Sequence, residues 1–281
     1  MNVRLIYAAV AMSVYVVNAN ATPIDLTPWT AESYPIIPGD PAAVWQVAPG
    51  GGSVTQTMNG QPTLFYSDFT AFGTKITGNI KSATVDDDFI GFAIGFNPGD
   101  ASNPLASYLL VDWKKATQLQ DFGAPSNSPG GNGLIGLSVS QVFGVPDFDE
   151  LWQHKNLAGT DAASGVTELA RGSTLGSAGW ASNTDYAFEF DIGPSALQVF
   201  VNGIKELDIT GSFTDGRMAF YDFSQPSTTY SAFDAELLPP SAVAEPATWP
   251  LLGAGLGFVA AMRRRSRNIL QRACATKNSR R

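Results

Sequence analysis

The chain has 281 residues, 44% of them hydrophobic and 15% charged, and its formal net charge is −8. That charge is partitioned: residues 22–240 carry eight basic and 24 acidic side chains, and eight minus 24 leaves this segment at −16, which excludes electrostatic attraction to nucleic acid or anionic lipid. The lone histidine, His154, and the lone cysteine, Cys274, exclude multi-histidine zinc or iron sites and any disulfide framework.

The chain opens on Arg4, an apolar run over 5–17, and Ala19-Asn20-Ala21. A positive start, a short apolar stretch and small residues before the cut make a secretory signal peptide over 1–21. A bilayer span needs ~20 apolar residues, so this run is too short to be one. Signal peptidase then leaves a mature chain that starts at Thr22.

From 22 to 240 the pattern predicts a single all-β domain. Residues 53–58 alternate apolar and polar side chains and end at Asn59-Gly60, a turn pair. Similar runs follow over 63–66, 75–80, 89–96 and 108–114, then 134–142, 185–192, 196–201, 205–210 and 217–221. Asn202-Gly203 between two of them signals a two-residue hairpin. Residues 151–156 form a short helix or a loop, and 123–133, rich in Gly, Ser, Pro and Asn, a surface loop. Many short strands between such turns predict a β-sandwich.

Within that domain Asp86-Asp87-Asp88 is the sharpest feature. Three adjacent carboxylates repel one another unless solvent or a cation intervenes. Calcium takes six to eight oxygens, so the three are candidate metal ligands, with Asp112 or Asp100 as further donors. The plainer alternative is a solvated turn. Glu189 and Asp191 are two apart on a strand and face one side, as an acid and nucleophile of glycoside hydrolysis would. Gly193-Pro194 follows them and no third acid does, which favours an exposed acidic strand face. His154 has no Gly-x-Ser-x-Gly partner and is expected at the surface rather than as a base. Trp113 alternates with Val111 and Leu109 and is expected in the core. Trp152 and Trp180 are the candidate ligand-binding aromatics, expected to stack on sugar rings.

Residues 237–246 hold three prolines and make a spacer. An apolar helix over 251–262, ~18 Å long at 1.5 Å per residue, runs into Arg263-Arg264-Arg265 and Arg267. An apolar run against arginines is a stop-transfer signal, with 268–281 as a cytoplasmic tail. Glu245-Pro246-Ala247-Thr248-Trp249, this helix and the arginines together resemble the PEP-CTERM sorting signal of Gram-negative, often biofilm-forming, bacteria. The resemblance implies a sorting segment over 241–267, cleavage near Glu245-Pro246 by an exosortase, and a chain held at the inner membrane until it is released to the cell surface or beyond.

A second resemblance spans residues 45 to 236. Trp45 with Val54-Thr55-Gln56-Thr57-Met58-Asn59, then Asp86-Asp87-Asp88-Phe89-Ile90-Gly91-Phe92, then Tyr108-Leu109-Leu110-Val111-Asp112-Trp113-Lys114, and last Arg217-Met218-Ala219-Phe220-Tyr221-Asp222-Phe223-Ser224-Gln225 are similar, in order, to the thrombospondin C-terminal domain. The resemblance implies a lectin-like jelly-roll β-sandwich of the concanavalin A type, calcium at the acidic turn, and adhesion. The expected protein is a non-enzymatic, calcium-binding surface or matrix protein that holds an exopolysaccharide or another surface protein. A glycoside hydrolase on the same fold and a purely structural envelope protein are the alternatives.

Overall fold

Strand 74–82 shows how the sheets arise. Thr74, Ile76, Gly78, Ile80 and Ser82 are buried while the residues between them are half-exposed, the period-two pattern of a strand with one face in the core. The computed structural model describes residues 21–34, 40–123, 130–157 and 164–238. The signal peptide and the sorting segment, with Glu245, Pro246, Arg263, Arg264 and Arg265, lie outside these. Among the described residues no helix is long and apolar enough to cross a membrane.

The elements in chain order are β1 (Thr22–Pro23), β2 (Thr30–Ser33), β3 (Trp45–Val47), β4 (Ser53–Gln56), β5 (Thr63–Thr70), β6 (Thr74–Ser82), β7 (Phe89–Phe96), β8 (Ser107–Lys114) and β9 (Gln118–Gln120). Then come β10 (Gly131–Gly133), β11 (Gly136–Phe143), α1 (Phe148–Gln153), β12 (Gly165–Arg171), β13 (Tyr186–Ile192), β14 (Ala196–Val201), β15 (Ile204–Thr210), β16 (Arg217–Phe223) and β17 (Thr228–Leu237). One sheet has the order β15-β14-β13-β6-β17-β4-β3, with β1 beside β17. The other has the order β12-β11-β8-β7-β16-β5-β2, and β9 with β10 forms a separate two-stranded ribbon. The pairings are antiparallel throughout. The fold is the expected all-β jelly-roll sandwich.

The main core lies between the sheets. Ile76, Phe190 and Val199 of the first sheet meet Phe92, Val111 and Phe220 of the second. Phe220 stacks on Tyr230 with ring centroids 4.3 Å apart, and Phe92 meets Phe190 edge-on at 4.7 Å. Each fully buried ring of this kind contributes about 1.5–3 kcal/mol. Trp113, Val111 and Leu109 sit here as expected. Gly78 is needed because Phe233 lies over it: a Cβ there would meet that ring at 2.4 Å.

A second core covers the outer face of the seven-stranded sheet. Phe89, Tyr108, Leu110, Tyr221 and Phe223 point away from the sandwich and are roofed by Phe148, Leu151 and Trp152 of α1. That is why β7, Phe-Ile-Gly-Phe-Ala-Ile-Gly-Phe, is buried at every position rather than at alternate ones. An antiparallel strand reads as continuously apolar only when both faces are covered.

Two turns carry the local logic. Asn202 and Gly203 have φ of 50° and 79°, the left-handed pair that a tight hairpin between β14 and β15 needs. Asp147 and Glu150 start α1, where Glu150 Oε2 accepts a hydrogen bond from Asp147 N at 3.1 Å. The expected strand over 134–142 is β11, which begins two residues later at Gly136, with φ of 114°, while Gly131–Gly133, expected in the surface loop, forms β10.

Candidate functional site

Four segments that are distant in sequence converge on the acidic turn ahead of β7. Asp86 Oδ2 accepts from Asn59 Nδ2 at 2.8 Å, and Asn59 Oδ1 accepts from Ser224 Oγ at 2.8 Å. Asp88 N donates to Gln225 Oε1 at 2.9 Å, and Gln225 N donates to Asp222 Oδ1 at 3.2 Å. Asp222 is fully buried, and that burial pushes its carboxyl well above the usual range. Carboxylate oxygens of Asp86, Asp87 and Asp88 lie within 4.8 Å of one another. Asp86 and Asp87 are half-buried and Asp88 is 4% exposed.

Two lysines at the end of β8 close on this turn. Lys114 Nζ donates to Asp88 Oδ1 at 2.8 Å, Asp87 O at 3.1 Å and Gln118 Oε1 at 3.2 Å. It also sits 4.0 Å above the Trp152 ring and 5.0 Å from that of Phe89. Lys115 Nζ donates to Val85 O at 2.8 Å, Ser182 Oγ at 2.9 Å and Asp86 O at 3.2 Å. Burial pulls the Lys114 ammonium below its ordinary range and pushes the Asp88 carboxyl above its own, and each charge opposes the shift of the other. Calcium asks for six to eight oxygens free to turn toward it. The residues present do not fit that shell, because the turn's carbonyls and Asp88 already face ammonium groups. Asp112 and Asp100 do not complete it either. Asp100 binds Asn97 N and Asn103 Nδ2 at 2.8 and 2.9 Å, and Asp112 serves another cluster.

Beside the turn is a cavity of about 300 Å³. Asp88, Gln118 and Trp152, three residues that hold Lys114, form part of its wall. Gln120, Asp121 and Phe122 follow from β9, while Asp40 and Ser224 close the other side. Carboxylates, amides and a hydroxyl beside the Phe122 ring suit a ligand with many hydroxyl groups and an apolar face. Of this lining the sequence pointed only to Asp88 and Trp152. The usable signal was Gln118-Leu119-Gln120-Asp121-Phe122 just after Trp113-Lys114-Lys115, which places polar residues beside two of the eight bases in 22–240.

Trp152 and Trp180 need correction as stacking residues, since both are 2% exposed. Trp152 Nε1 donates to Gln118 O at 3.2 Å while Lys114 lies over its ring. Trp180 Nε1 donates to Asp88 O at 3.2 Å and its ring joins the main core. Both rings brace the acidic turn, with no face open for a sugar to stack on.

His154 also needs correction. It is 5% exposed, buried under α1 rather than at the surface. Its Nε2 lies 2.9 Å from Asp112 Oδ2, and its Nδ1 lies 3.2 Å from Ser138 Oγ and 3.6 Å from Glu168 Oε2. Burial alone would lower the imidazolium, but Asp112 and Glu168 outweigh it and raise its pKa to about 9. Ser138 donates to Asp112 Oδ1 at 3.1 Å, and both residues are fully buried, so the trio has no approach for a substrate.

Glu189 and Asp191 share the outer face of the first sheet, with Lys75 of β6 between them at 2.8 and 3.6 Å. Lys75 is correspondingly raised, its hydrogen bond to Glu189 being the largest cause.

The family model described as thrombospondin C-terminal region matches residues 40–237. Thrombospondin-3b of Danio rerio is 25% identical over 199 residues, which cover 66% of this chain and 20% of that protein. This chain therefore spans about a fifth of that relative's length. Among solved structures, the carbohydrate-binding module CBM66 from Bacillus subtilis is 10% identical with a TM-score of 0.47, over 75% of this chain and 96% of that one. A Bacillus subtilis protein with a galectin-like fold gives the same identity and TM-score over 78% and 96%.

Proposed function

The chain belongs to the thrombospondin C-terminal region family, and from that premise we propose that it is an exported surface or matrix protein that binds polysaccharide without cleaving it. The observation that carries this reading is the cavity walled by Gln118, Gln120, Asp121, Phe122, Asp40 and Ser224. Sugars are recognised by side-chain amides and carboxylates that meet hydroxyl pairs, with a ring for the apolar face. This wall supplies both kinds of group. Two features support binding over hydrolysis. Glu189 and Asp191 share one lysine instead of bracketing a cleft. Ser138, His154 and Asp112 are buried. The signal-peptide pattern of 1–21 and the resemblance of 241–267 to a sorting signal support a place outside the cytoplasm, reached through signal peptidase and exosortase, in a matrix of the biofilm type.

Affinity electrophoresis of the purified protein through gels that contain neutral or acidic polysaccharides tests this. Retardation by a neutral polysaccharide without release of reducing sugar is expected. Sugar release that is lost in Glu189→Gln would replace the reading with the glycoside hydrolase. Migration unchanged in every gel would leave the structural envelope role.

A further inference from the structure

We propose that Lys114 and Lys115 supply from within the chain the positive charge that the acidic turn would otherwise take from a bound divalent cation. An ammonium group has three N–H donors. Lys114 spends its three on Asp88 Oδ1, Asp87 O and Gln118 Oε1, and Lys115 spends its three on Val85 O, Asp86 O and Ser182 Oγ. Three successive carbonyls of the turn, at residues 85, 86 and 87, are therefore all turned toward lysine nitrogen. A divalent ion would draw on the same oxygens, since calcium takes backbone carbonyls as well as carboxylates.

The surroundings of the two ammonium groups keep them in place. The Lys114 side chain is fully buried, its nitrogen pressed against the faces of Trp152 and Phe89. Lys115 Nζ lies 4.9 Å from the Trp180 ring. An ammonium accepts a ring face as part of its shell, through cation–π attraction, whereas a strongly hydrated divalent ion asks for oxygen there. The aromatic walls therefore select lysine over metal. They also account for Trp180, which bonds the Asp88 carbonyl beside Lys115, and for Trp152, which bonds the Gln118 carbonyl under Lys114. Displacing Lys114 with a metal ion would strand its charge in the core, and an unpaired buried charge is strongly destabilising. Lys114 pairs with the Asp88 carboxylate, both lysines meet the turn's carbonyls, and Asp86 keeps Asn59 and its own chain as partners.

The test reads metal alone and does not depend on glycan binding. Full-length protein, Lys114→Met and Lys115→Met are melted in millimolar calcium and in chelator, with calcium titrated calorimetrically into each. The native chain is expected to melt at one temperature in both conditions and to give no binding heat. Lys115→Met, whose ammonium sits nearer the surface, is expected to melt higher in calcium than in chelator and to bind about one ion. Lys114→Met should do the same wherever it folds. Saturable calcium binding by the native chain that is lost in Asp86→Asn with Asp87→Asn would overturn the proposal. Equal melting of Lys115→Met in calcium and chelator would also overturn it.

Discussion

Raising the pH tests the buried His154 cluster, and the sign follows from its geometry. His154 of the α1 C-terminus faces Asp112 of β8, Ser138 of β11 and Glu168 of β12, while the Phe89 ring of β7 lies 5.1 Å away. Arg171 holds Glu168 at 2.6 Å. Burial disfavours the imidazolium and the two carboxylates favour it more, so the folded pKa rises from 6.5 to about 9. A raised pKa means that the folded state binds the proton more tightly than the unfolded chain does. The stabilisation is complete below pH 6.5 and is lost as the pH climbs through about 9. Its size is on the order of 3 kcal/mol, a large share of a small domain's stability. Because the chain has one histidine, a single imidazole resonance followed by NMR from about pH 6 to about pH 10 reads this group without ambiguity. Tyr108, Tyr221 and Tyr230 stay out of the window, since burial raises all three well above 10. Denaturant melts over the same range should lose stability in step with the resonance. Asp112→Asn should lower the midpoint, because the nearer of the two carboxylates that favour the imidazolium is lost while burial and Glu168 remain. An imidazole that titrates near 6.5 in the native chain would refute the cluster.

Two further substitutions probe the packing. Asp88→Asn keeps the shape of the turn but leaves the Lys114 ammonium buried without its carboxylate, and it should cost about 3 kcal/mol in chemical denaturation; a loss under about 1 kcal/mol would mean the pair is solvated. Gly78→Ala drives a methyl to within 2.4 Å of Phe233, so it should cost about 1–3 kcal/mol and shift the near-ultraviolet aromatic signal, with neutrality showing that Phe233 is free to move.

How far the sequence alone reached depended on the range of each signal. Period-two alternation and turn pairs are local, so β4, β6, β13 and β14 and the Asn202-Gly203 hairpin were legible almost to the residue. The second core was not, because nothing local says that Phe89 and Trp152, 63 positions apart in the chain, face one another. That same contact buries Trp152, which reads in isolation as an exposed aromatic beside a lone histidine. The acidic turn stood out as a charge run, but its partners Lys114 and Lys115 are brought there only by the pairing of β8 with β7. The four motifs that carry the thrombospondin resemblance, each short and apart in sequence, meet at this turn. Asn59, Asp86, Asp88, Lys114 and Gln225 are joined there by hydrogen bonds.

The central claim is that the cavity beside the turn binds polysaccharide. Its most direct test is calorimetric titration of neutral oligosaccharides into the native chain and into a Gln120→Ala, Asp121→Ala variant. Both substituted side chains line the cavity, and neither is bonded to the lysine cluster. Saturable binding by the native chain is expected, with a loss of at least about tenfold in the variant, equivalent to about 1.4 kcal/mol, and an unchanged melting temperature. Equal affinity in both proteins, or no heat from any sugar in the native chain, would contradict it.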